Sequence, residues 1–129
     1  LVSGIPQYLQ NLTNAKVDLT NTNNTTLYTS PSDADFNASI VSSLLVSNDS
    51  GSADTITVTI TDSASSVFSV YKLEEVGALS SKELLSKDLI LKSGEILKVQ
   101  AATGARLHVI ASIQEFAKTR ITTSAITGI

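Results

Sequence analysis

The chain has no cysteine, no methionine and no tryptophan. Without cysteine there is no disulfide framework, no thiolate metal site and no thiol nucleophile. Histidine occurs once, as His108. Proline occurs twice and aromatic residues make up only 5% of the chain. Sugar-binding modules usually offer exposed aromatic platforms, so the shortage of aromatics weakens a lectin reading. Charge is sparse too, at 16% of residues, and the net charge is only −3. No two Lys or Arg residues are adjacent. Nucleic-acid binding needs a basic stripe to neutralise phosphates, and none is present. No apolar run approaches the roughly 20 residues of a membrane-spanning helix. The start, Leu1 to Pro6, lacks both an initiator Met and the basic n-region of a signal peptide. The expectation is a processed chain or an internal starting point.

The chain is rich in hydroxyls: about a quarter of its 129 residues are Ser or Thr. Threonine and β-branched apolar residues suit half-buried strands with a neutral outer face. A length of 129 residues fits one domain with one ordinary core.

Period-two alternation is the main signal. Asp54 to Thr61 alternates without a miss, with Ile56, Val58 and Ile60 on one face and four Thr on the other. In Arg106 to Phe116, Leu107, Val109, Ala111 and Ile113 share a face. Asn37 to Ser47 is also a strand, with Ile40, Leu44 and Val46 expected on one face and Ser39 and Val41 on the other. Further strands are expected at Tyr8–Leu12, Val17–Thr20, Leu27–Thr29 and Val67–Leu73. Asp88–Leu91 and Ile96–Gln100 flank Lys92-Ser93-Gly94-Glu95, a hairpin-type turn. Leu79 to Leu85 is ambiguous between a helix start and a strand. Turn chemistry separates these pieces at Ser30–Asp35 and Asn48–Ser52. Short strands at 8–12-residue spacing indicate an all-β, antiparallel β-sandwich or small barrel. Two facing sheets explain the alternation best. One domain over 1–129 is expected, with a core at roughly 25–116 and extended arms at 1–20 and 117–129.

Few residues offer chemistry. His108 faces away from Leu107 and Val109, which reads as a solvent or interface position. Catalysis there needs a neighbouring carboxylate and a pocket, which sequence alone does not supply. Glu74 and Glu75 are adjacent, so on a strand they point to opposite faces and cannot act as an acid–base pair. Asp33 and Asp35, and Asn48 with Asp49, are oxygen-rich, but neither group has the ligand ladder of a calcium loop. Turn chemistry accounts for them. Phosphate-binding loops, metalloprotease motifs and nucleophile elbows are all missing. No catalytic, cofactor-binding or metal-ligating residue is therefore assigned, and no cofactor is expected.

The order of segments carries a resemblance. Leu27-Tyr28-Thr29-Ser30-Pro31 precedes Ser39 to Asn48, then Ser50 to Val58, then Leu89 to Ala101 with Gly94-Glu95 at its turn, then Leu107 to Ser112. In order and spacing this resembles the small β-sandwich structural proteins of tailed bacteriophages, over residues 25–115. That resemblance implies a jelly-roll-like sandwich, no catalysis and no functional residues to carry over. It also implies a virion location after assembly in the host cytoplasm. The implied partners are the major capsid protein or other virion proteins, with self-association, a trimer favoured, and neither nucleic acid nor membrane. A capsid decoration or cement protein is the first expectation. A neck, collar or tail component is the second, and a carbohydrate- or receptor-binding module the third.

Overall fold

The structure, a computed structural model, describes residues 8–118. Among them are nine strands and no helix. The strands are β1 (Tyr8–Leu19), β2 (Thr25–Thr29), β3 (Phe36–Asn48), β4 (Asp54–Thr61) and β5 (Val67–Val76), then β6 (Ser80–Glu83), β7 (Leu89–Lys92), β8 (Ile96–Ala101) and β9 (Leu107–Ala117). They form two antiparallel sheets packed face to face, a β-sandwich. One sheet runs β1-β9-β3-β6, with β7 also paired to β3, and the other runs β2-β8-β4-β5.

The alternating faces become the core. Leu107, Val109, Ala111 and Ile113 of β9 are buried, as their shared face predicts, and so are Ile56 and Val58 of β4. Leu44 and Val46 of β3, Leu97 and Val99 of β8, and Leu91 of β7 fill the space between the sheets. Each such side chain stabilises the fold by about 1.5–3 kcal/mol on removal from water.

Three expectations are revised and one ambiguity, at Leu79–Leu85, is resolved. In β3 the pairing with β9 shifts between Val41 and Ser43. The extra residue moves the inward face by one position. Ser39 and Val41 are buried before the shift, Leu44 and Val46 after it, and Ile40 turns to the outer face. The turn Lys92–Glu95 forms, with Gly94 at φ 76, but it is not a hairpin. It carries the chain from β7 in one sheet to β8 in the other. Local turn chemistry is the same in both cases, and which sheet receives the next strand is set by packing. The segment Leu79–Leu85 contains the short edge strand β6 rather than a helix. Finally, residues 8–19, expected within an arm, are one continuous strand paired with β9 along its length, and Leu19 is buried. The C-terminal arm expected over 117–129 begins at the buried Ala117, and its residues 119–129 lie outside the described residues, as do residues 1–7.

Candidate functional site

His108 lies on β9 between two carboxylates. Its Nε2 is 3.1 Å from Asp49 Oδ2, and its Nδ1 is 3.6 Å from Asp18 Oδ1. Asp18 is brought there by the β1–β9 pairing, which sets it directly opposite His108. Asp49 follows the end of β3, whose Ser47 is the cross-strand neighbour on the other side. An open depression of about 270 Å³ adjoins the imidazole, lined by Lys16, Asp18, Ile110 and the β1–β9 backbone around them. A carboxylate and a pocket, the two features that catalysis at His108 would need, are both present. Nε2 is within hydrogen-bond distance of Asp49, while Nδ1, at 3.6 Å, faces Asp18 without a hydrogen bond. The nearest hydroxyl by register, Ser47 Oγ, accepts from Ser81 Oγ. The two carboxylates flank opposite edges of the ring and cannot converge on one cation with it. No group of three metal-ligating side chains occurs among the described residues.

A second polar locus closes one end of the core. Tyr28 of β2 donates its hydroxyl to Glu115 Oε2 at 2.5 Å and lies 2.7 Å from Ser39 Oγ. Ser30 Oγ reaches Ser39 Oγ, and Asn11 Nδ2 donates to Glu115 Oε1 at 3.1 Å. Asn11, Glu115 and Ser39 stand side by side across β1, β9 and β3. Tyr28 therefore bridges the two sheets. Burial, and next the hydrogen bond to Glu115, push its phenol up to about 12. The cluster is internally satisfied, which suits a structural tie between sheets.

Other residues singled out in the sequence are dispersed. Glu74 pairs with Lys82, while Glu75 offers its backbone oxygen to the same ammonium at 3.2 Å. Asp33 and Asp35 use their carbonyls to tie the chain, to Phe36 N and Lys118 N. Asn48 is buried and organises its turn: Nδ2 donates to Ser52 O and Val76 O, and Oδ1 accepts from Ser50 N and Ser50 Oγ. Sequence reasoning passed over Glu115, Glu83 and Asp54. Asp54 is buried and accepts from Thr55 N and Thr103 N. Their long-range partners, Tyr28 for Glu115, Leu44 for Glu83 and Thr103 for Asp54, lie too far along the chain to leave a local signal.

The outer faces of the two sheets differ. β4 turns Thr55, Thr57 and Thr59 outward beside Lys98 and Gln100 of β8. The five-stranded sheet turns out an apolar end instead. Leu9, Phe116 and Ala38 form one cross-strand row, and Leu12, Gln114, Ile40 and Ile90 form the next. Leu12 is 67% exposed and Ile90 60%. Ile90, Ile40 and Phe116 line a shallow depression of about 460 Å³ with Asn37, Ala38 and Lys92. An apolar row rimmed by polar groups is the usual mark of a contact surface.

Comparison with known proteins yields no match: no family model, no curated protein and no solved structure matches the chain.

Proposed function

We propose that this chain is a non-enzymatic structural protein of a bacteriophage virion, a decoration or cement protein that binds and stabilises the head shell through the major capsid protein. The observation that carries the reading is the strand order. With β6 and β7 counted as one interrupted strand, the sandwich has eight strands, ordered first-eighth-third-sixth in one sheet and second-seventh-fourth-fifth in the other. That order supports a jelly roll, an architecture shared by viral capsid domains, lectins and cupins. Surface chemistry favours the capsid member of that set. The outer faces are largely hydroxylic or apolar, with only scattered charges such as Lys16, Asp18 and Lys98, which suits repeated protein contacts. The sole imidazole is held between two aspartates rather than aimed at a reacting group.

A direct test is sedimentation of the purified chain with heads of the encoding phage that lack it. Saturable co-sedimentation, with heads more resistant to heat or dilution, is the expected outcome. A chain that stays in the supernatant overturns the head assignment. Binding to tails or necks in the same assay would move it to those parts of the virion. The depression at Phe116, Asn37 and Lys92 favours one other reading, a carbohydrate- or receptor-binding module. Binding on a glycan array, lost on Phe116→Ala, would support it.

A further inference from the structure

Every open sandwich has strand edges, and exposed edges invite pairing with other chains. Four of the five edge strands here are blunted. β2 has five residues and a register shift at Thr26–Tyr28. β6 and β7 have four residues each. β5 is interrupted by two register shifts, and its Leu73 sits at φ 53. β1 differs from all of them. It is 12 residues long, and its single register shift lies at its start, between Leu9 and Asn11. From Asn11 to Leu19 it runs in unbroken register with β9, has no proline, and has no strand on its other side among the described residues.

The charges on that edge are self-complementary. Residues 11–19 carry two, Lys16 and Asp18, both exposed and both on the outer face. Laid antiparallel on itself with Val17 opposite Val17, the strand sets Lys16 of each copy across from Asp18 of the other. Opposite charges facing across an antiparallel pair are stabilising, and like charges are destabilising. The two neighbouring registers that keep side chains on the same faces bring Lys16 against Lys16, or Asp18 against Asp18. The pattern therefore selects one register and penalises slippage on either side.

We infer that β1 pairs with β1 of a second copy about a two-fold axis at Val17, joining two five-stranded sheets into one continuous sheet. Such a contact is isologous and closes after two subunits. Backbone hydrogen bonds supply the attraction and the two Lys16–Asp18 pairs supply the register. The inference goes beyond the proposed function and rests on β1 alone. It specifies a two-fold assembly, distinct from the three-fold one that the resemblance to decoration proteins implies.

The test is the mass of the full chain by light scattering across a dilution series. The expected mass at the concentrated end is twice the 13.6 kDa of one chain. Lys16→Asp should raise the dimer dissociation constant by roughly tenfold or more, since it sets carboxylates opposite each other twice per dimer. The double variant Lys16→Asp/Asp18→Lys restores opposite pairing only in the Val17 register and should recover the parental constant. Asp18→Lys, the mirror single variant, gives the same reading if Lys16→Asp fails to fold by circular dichroism. A parental monomer or trimer overturns the inference, as does a folded single variant that dimerises as well as the parent. Head sedimentation is read separately, so failure here is distinguishable from failure of the virion reading.

Discussion

Tyr28 reaches from one sheet to the Glu115 carboxylate of the other, and the phenol must keep its proton to donate. Its value is pushed up to about 12 from an ordinary 10.0. The sign follows directly. A raised value in the folded state means that the contribution is complete below pH 10 and is lost as pH rises toward 12. Tyr28→Phe should lower stability by about 1 kcal/mol at neutral pH. It should also flatten the alkaline decline, measured as urea midpoints between pH 9 and 12. A variant that declines like the parent would show that Tyr28 is not the titrating group. Asn48 is the second such residue. Its amide satisfies the buried Val76 carbonyl and the Ser52 carbonyl, and its oxygen holds Ser50. Asn48→Ala leaves those groups without partners and should lose roughly 1–3 kcal/mol in denaturant unfolding.

Elements depend on residues of this kind where their ladders break. β7 pairs with Ala38 to Val41 of β3, and β6 pairs with Leu45 to Asn48. Between them Ser42, Ser43 and Leu44 have no strand partner on that side. Glu83 fills the gap: its carboxylate accepts from the Ser43 hydroxyl, from Leu44 N at 2.7 Å and from Leu85 N at 3.2 Å. Burial alone would raise its value, but these hydrogen bonds, Ser43 first, outweigh it and hold the carboxyl below the usual 4.5. The contribution is therefore present above that ordinary value and is lost as pH falls through the lowered one. Glu83→Gln should cost about 0.5–1 kcal/mol at neutral pH, because solvent screens this exposed site. The difference from the parent should vanish in acid. Unfolding curves at pH 7 and pH 3 check both statements.

At the scale of the whole molecule, the two outer faces predict different mutational behaviour. Ile90 and Phe116 belong to an apolar surface that contributes little to the core. Ile90→Lys should change stability by no more than about 0.5 kcal/mol, as exposed substitutions usually do. If this face meets the shell, the same variant should weaken head binding severalfold in the sedimentation assay. Leu44→Ala, from the buried layer, should instead lose about 2–5 kcal/mol. A loss of that size from Ile90→Lys would place it in the core and remove the case for an outer contact surface.

Alternation alone determined that this is an all-β chain and which faces of β4 and β9 are buried, because a period of two is a local property that sequence displays directly. The turns at Ser30–Asp35, Asn48–Ser52 and Lys92–Glu95 were equally local, since Pro, Gly and Asn impose their backbone preferences on their own neighbours. Tertiary structure decided the rest. A one-residue shift in β3 chose Val41 over Ile40 for the core, and no composition rule marks where a ladder slips. Packing sent β8 to the opposite sheet from β7, although the turn between them would serve a hairpin as well. His108 met Asp18 and Asp49, and Glu115 met Tyr28, only because strands far apart in the chain lie side by side. Such contacts are set by how the sheets close on one another, which depends on the sum of buried surface rather than on any single residue's neighbours.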